Sequence, residues 1–233
     1  MDRGTSSIAE LTWVVAHRGA SAYEVENSLA AFRAAVRMGA DGVELDVHTT
    51  LDGIAVVHHD AIAGTHRIAE TRFEELRDHK LSNGEHIPLL VDVLSTLGTD
   101  CCAFVEVKHV PQRYDRALLD VLESGPATDH YHVHSFDLHI VRRLKQQDPS
   151  LVCGVLPTAY EVSPFIQLDE VGATELWQDE ALVDGDLINE AHDRGYRIFA
   201  WTVDAPERMR QLMDLGVDSI CTNRPDVARG VAG

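Results

Sequence analysis

Glu44-Leu45-Asp46-Val47-His48-Thr49-Thr50-Leu51-Asp52-Gly53-Ile54-Ala55-Val56-Val57-His58-His59-Asp60 is the stretch on which the fold of this 233-residue chain turns. Val43, Leu45 and Val47 alternate with Glu44, Asp46 and His48, the period of a strand, which sets the polar trio on one face. Leu51-Asp52-Gly53 carries a turn signal, and Ile54 to Val57 is a second β-branched run ending in His58-His59-Asp60. Two neighbouring carboxylates on a mostly buried strand repel each other and lose hydration, and a divalent cation is the usual counter-charge. An edge strand with its acidic face in water is the alternative, and this stretch alone leaves both open.

Outward from it, strand and helix signals alternate. Trp13 to Ala16 is a short apolar strand running into His17-Arg18-Gly19-Ala20, where a glycine loop lets backbone and cation approach an anion closely. Asn27 reads as the N-cap of a helix over 28–38, with Leu29, Phe32 and Val36 as its apolar stripe and Gly39 as its stop. Residues 61–86 show no periodicity beyond a short helix near Arg72 to Arg77, and so read as an insertion of the kind that sits over sites. A helix with Leu90, Val93, Leu94 and Leu97 inward closes at Gly98. The strand from Cys102 then ends in Glu106-Val107-Lys108, which again puts two charged residues on one face.

Further helices are expected over 117–122, 136–147, 186–194 and 207–215. Strands starting near residues 13, 43, 102, 131, 151, 173, 197 and 217 make eight β/α repeats, the number that closes a (β/α)8 barrel. The chain accordingly reads as one barrel domain over 1–233, with an insertion at about 52–88 that includes the Ile54 to His58 strand. His130, His132 and His134 fall on one face of the strand 130–134. Spread over about 13 Å, they are too far apart for a single ion. A polar strand face with one histidine near the mouth is the preferred reading.

The composition is that of a globular chain, 45% hydrophobic and 25% charged, without a segment of transmembrane length. The opening Met1-Asp2-Arg3-Gly4-Thr5-Ser6-Ser7 has no apolar signal core, and none of the four cysteines forms a Cys-x-x-Cys pair, so a cytoplasmic protein with buried thiols is expected. A net charge of −18 disfavours nucleic acid and anionic membrane surfaces as partners. An anionic substrate would need cations placed at the site itself.

The ordered motifs His17-Arg18-Gly19, Glu26-Asn27-Ser28, Glu44-Leu45-Asp46-Val47, Asp52-Gly53 and His59-Asp60 continue into Glu106-Val107-Lys108 and Ser135-Phe136. Trp201-Thr202-Val203 and Thr222-Asn223-Arg224-Pro225 complete the series. Together they resemble the glycerophosphodiester phosphodiesterase family along nearly the whole chain. The resemblance implies a (β/α)8 barrel holding one Mg²⁺ or Ca²⁺ on Glu44, Asp46 and Glu106, oxygen ligands of the kind hard ions prefer. It further implies His17 and His59 as the acid–base pair, Arg18 and Lys108 on phosphoryl oxygens, and Trp201 as a wall of the alcohol pocket. His58 is expected on the opposite face from His59. The implied reaction cleaves a glycerophosphodiester to sn-glycerol 3-phosphate and an alcohol.

Two positions depart from the family pattern. Val25 stands where a proline precedes the glutamate, and Gly64-Thr65-His66-Arg67 replaces an Asp-Arg-Thr-Thr-like run in an insertion poor in aromatics. That insertion argues against an acyl-chain groove, and so against a lysophospholipid phosphodiesterase on the same fold. A non-catalytic phosphodiester-binding barrel would be expected to lack one of the histidines or carboxylates, yet all are present. A Schiff-base aldolase would have to use Lys108, which neighbouring carboxylates keep charged.

Overall fold

Alternating strands in this chain bury both faces, one toward a barrel interior and the other toward surrounding helices. The structure, a computed structural model, describes residues 12–159 and 161–233. The reading of Met1 to Ser7 lies outside them.

In chain order the elements are β1 Trp13–His17, α1 Leu29–Arg37, β2 Gly42–Thr49, β3 Ala55–Val57, β4 Ile62–Ala63, β5 His66–Arg67, α2 Phe73–Leu76 and α3 Leu90–Leu97. There follow β6 Cys102–His109, α4 Asp115–Glu123, β7 Tyr131–Ser135, α5 Leu138–Gln147, β8 Val152–Val155 and α6 Phe165–Val171. The last are β9 Glu175–Asp179, α7 Gly185–Asp193, β10 Arg197–Trp201, α8 Pro206–Asp214, β11 Ser219–Thr222 and α9 Pro225–Ala232. Parallel pairing runs β1-β11-β10-β9-β8-β7-β6-β2, and β2 pairs back onto β1, which closes the expected eight-stranded barrel. The extra strand β3 lies antiparallel on the upper part of β2.

Val43, Leu45 and Val47 of β2 join the core between barrel and helices, together with Phe32 of α1 and Leu90 and Leu94 of α3. Inside the barrel, Val15, Phe104, Leu156, Trp177, Phe199 and Cys221 pack together. Two glycines make room for the large rings. A Cβ on Gly42 would stand 2.5 Å from Phe104, and one on Gly154 would stand 2.8 Å from Trp177. The insertion carries a small core of its own, Val56, Ala63, Ile68, Leu76 and Ile87.

Several local expectations are corrected. Ser28, not Asn27, caps α1, its hydroxyl accepting from the Ala31 N–H at 3.1 Å. Asn27 instead adopts φ 55°, a left-handed conformation that asparagine tolerates, and turns its amide toward β2. The buried face of α1 is Ala31, Phe32, Ala34 and Ala35, while Val36 is exposed, because small side chains let the helix lie close to the barrel. His130 ends a 3₁₀ turn outside β7 and is exposed, so only His132 and His134 share the inner face of that strand. Two helices escaped the sequence reading, α6 and α9, both short and both starting at or just after a proline.

Candidate active site

Parallel β/α barrels gather function at the carboxyl ends of their strands, and a cavity of about 150 Å³ opens there. It brings together His17 from the end of β1, Arg18 just after it, Glu44 from β2, His59 from the loop after β3, and Glu106 and Lys108 from β6. Trp201 forms part of its apolar wall with Phe136, Leu156 and Trp177. Asp46 lies just behind this surface, 1% exposed. A larger cavity of about 570 Å³ at the amino ends of β7 and β8 has Glu123, Asp129 and Asp148 in its lining but no basic group, a poor match for an anion.

Two cations tie the carboxylates together. Lys108 Nζ lies 3.0 Å from Asp46 Oδ1 and 2.5 Å from Glu106 Oε1. Arg18 Nε lies 3.2 Å from Asp46 Oδ2, and its Nη1 donates to Glu26 Oε2 at 2.9 Å. The backbone at Arg18 is left-handed, φ 55°, and its N–H donates to Glu44 Oε2 at 3.1 Å. Asn27 clamps Asp46 with its side-chain amide: Nδ2 donates to Oδ2 at 2.7 Å, and the Asp46 N–H donates to Asn27 Oδ1 at 3.2 Å.

Burial, reinforced by the neighbouring Asp46 and Glu106, pushes the Glu44 carboxyl well above its ordinary value. Burial raises Glu106 as well, against the pull of Lys108. For Asp46 burial acts upward too, but Lys108, Arg18 and the Asn27 hydrogen bond outweigh it and hold the group low. Three carboxylates converge with two fixed cations that do not bring all three into the ordinary range. Lys108 is the partner of both Asp46 Oδ1 and Glu106 Oε1, and among the described residues neither oxygen has a hydrogen bond from any other group.

The histidines are held differently. His17 Nδ1 donates to Asn223 Oδ1 at 2.8 Å, and the Asn223 amide is oriented by Asp204, whose Oδ2 accepts from Nδ2 at 2.6 Å. The orientation fixes the tautomer, leaving Nε2 to face the site 4.0 Å from Glu44 Oε2. Burial first, and Arg18 second, lower His17 below the ordinary imidazole value, so its neutral form is favoured. His59 Nδ1 lies 3.0 Å from Asp60 Oδ1, and its backbone carbonyl accepts from His48 Nε2 at 3.1 Å. His58 is turned away from the cavity, its Nδ1 donating to the Asp60 carbonyl at 2.9 Å.

His134, 1% exposed, adds a group that the sequence reading left unassigned. Its ring offers a nitrogen that lies, with oxygens of Glu44 and Glu106, in a set of atoms within 4.8 Å of one another. Asn27, Asp204 and Asn223 were likewise not singled out as site residues. Alternation places Asn223 on the same face as Cys221, but nothing local marks Asp204 as its partner.

A mouth with cations at its rim and carboxylates beneath fits a phosphoric ester. The family model for the glycerophosphoryl diester phosphodiesterase family matches residues 17–227. A glycerophosphodiester phosphodiesterase from Caldanaerobacter subterraneus subsp. tengcongensis is 31% identical over 233 residues, covering 92% of this chain and 95% of its own. One from Bacillus altitudinis is 29% identical, with 94% and 97% covered. Among solved structures, a glycerophosphodiester phosphodiesterase from Parabacteroides distasonis superposes with a TM-score of 0.86 at 28% identity, covering 96% of this chain and 97% of that one. The chain belongs to the glycerophosphoryl diester phosphodiesterase family, and it is a hydrolytic enzyme.

Proposed function

We propose that the enzyme cleaves a small glycerophosphodiester to sn-glycerol 3-phosphate and an alcohol, using one divalent ion held by Glu44, Asp46 and Glu106. The observation that carries the reading is the convergence of these three buried carboxylates, two of them sharing the single ammonium of Lys108, beside His17 and His59. Such a donor set fits a hard divalent cation. When bound, the ion supplies Lewis-acid polarisation of phosphoryl oxygens.

The chain's own groups do the rest. Arg18 and Lys108 bind the remaining phosphoryl oxygens, and Trp201 walls the leaving alcohol. His17, neutral with Nε2 free, takes the proton of the glycerol 2-hydroxyl as its oxygen bonds to phosphorus. The phosphorus–oxygen bond to the alcohol breaks, and His59, whose Nδ1 lies against Asp60 Oδ1, gives that oxygen its proton. Water then opens the cyclic phosphate with the roles reversed, His59 accepting the water proton and His17 returning its own to the 2-oxygen. An internal hydroxyl gains proximity that free water lacks.

The same reading treats residues 1–233 as a single barrel domain with the insertion at about 52–88. Four free, buried cysteines support a cytoplasmic location. Among the described residues no helix is long and apolar enough to cross a membrane.

The test is alcohol release from a panel of glycerophosphodiesters, a lysophospholipid and a 2-deoxy analogue, with and without chelator. Release from the short diesters should stop on chelation and return with a divalent ion. The 2-deoxy analogue should bind and turn over very slowly. Full activity after exhaustive chelation would refute the metal reading, normal turnover of the 2-deoxy analogue the cyclic route, and preference for the lysophospholipid the substrate class.

A further inference from the structure

Inward-facing residues at one level of the barrel are set by strand register. Asp46 of β2 pairs with Glu106 of β6, and Glu106 with His134 of β7. The imidazole therefore stands beside the carboxylates at their own height. One level below, His132 shows how a structural histidine looks in this barrel, its Nδ1 only 2.6 Å from Glu175 Oε1. His134 has nothing of the kind. Neither ring nitrogen has a hydrogen-bond partner among the described residues, although the residue is 1% exposed.

Leaving a buried polar group unpaired is costly, and each such group calls for an explanation. The ring is nonetheless held in place. It stacks on Trp177 at 4.1 Å with an 11° tilt, and Trp177 has room to lie there because position 154 is glycine. A rigid, unpartnered imidazole aimed at two buried carboxylates is what a metal ligand looks like before the metal binds.

We propose that His134 is a nitrogen ligand of the metal site, acting with Glu44 and Glu106, and that it shifts the site's preference from Ca²⁺ toward a first-row transition ion such as Mn²⁺ or Co²⁺. The inference rests on the reading of the carboxylates as a metal site. It departs from the all-oxygen set expected from the sequence, which suits Mg²⁺ or Ca²⁺. Imidazole is a poor ligand for those hard ions and a better one along the first-row series, for which Mn²⁺ is the weakest case and Co²⁺ or Zn²⁺ stronger ones.

The test binds Mn²⁺ to the full chain after chelator stripping, and reads the bound ion by electron spin-echo spectroscopy and its affinity by titration. The wild type should show coupling to a directly bound nitrogen, altered when histidine alone is isotopically labelled. His134→Gln should lose that coupling and weaken Mn²⁺ by at least about tenfold, a change already seen when groups that merely support metal ligands are removed. Ca²⁺ affinity should change much less. His17→Gln and His59→Gln should each keep the coupling, which assigns the nitrogen to His134. If His134→Gln fails to fold, the labelled wild type with His17→Gln and His59→Gln still decides the matter. Bound Mn²⁺ without nitrogen coupling, or coupling that survives in His134→Gln, overturns the inference and leaves the carboxylate site standing. A wild type that binds Ca²⁺ but no Mn²⁺ overturns the inference alone, and one that binds neither ion overturns the carboxylate site as well.

Discussion

His58 and His59 are adjacent in sequence yet sit in different settings: His59 lines the cavity, while His58 donates to the Asp60 carbonyl. His59→Ala should therefore lower kcat by about a hundredfold to ten-thousandfold, the usual contribution of a proton-transfer group. His58→Ala should stay near wild-type rates, and a dead His58→Ala beside an active His59→Ala would reverse the assignment. His17 makes a separate pH prediction. Its depressed value favours the neutral base, so kcat/KM should hold as pH falls to about 6.5 and drop only below it, where the imidazole gains a proton. An acid limb above the ordinary imidazole value would contradict that role. The sequence made these side chains legible because strand alternation and short motifs are local. It could not show why His17 keeps one tautomer, since Asn223 lies 206 residues away and Asp204 orients Asn223 from another loop.

Strands were legible as elements because the barrel buries both of their faces and stamps a period of two on each. Helix ends were less so. Asn27-Ser28 offers two capping residues in a row, and only tertiary structure decides between them. Asp46 claims the Asn27 amide, which leaves Ser28 to cap α1. The two substitutions should consequently part company. Ser28→Ala should cost about 1 kcal/mol in urea denaturation with metal affinity nearly unchanged. Asn27→Gly keeps a backbone that tolerates φ 55° but releases Asp46, so it should weaken divalent-ion binding about tenfold in a calorimetric titration. Equal effects of the two changes on metal binding would mean that Asn27 does not act through Asp46.

Over the whole molecule, 38 acidic against 20 basic side chains draw divalent cations in and hold anions off, so on the proposed reading an anionic ester would depend on Arg18 and Lys108 at the mouth. The same excess is concentrated at Glu44 and Glu106, and it links metal binding to stability. Burial, with the neighbouring carboxylate charge, raises both groups in the folded state. In the metal-free protein they retain protons that the unfolded chain releases above about pH 4.5, so their contribution to stability is complete below that value and declines as pH rises toward their folded values. A divalent ion bound there, as proposed, would replace those protons and remove the decline. The rise in Tm on adding Mn²⁺ should therefore be small near about pH 5 and grow steadily toward about pH 8. Thermal unfolding at saturating Mn²⁺ against chelator, at matched ionic strength, measures it. A gain that is flat or shrinks with pH would mean that the ion does not compete with protons on these buried carboxylates.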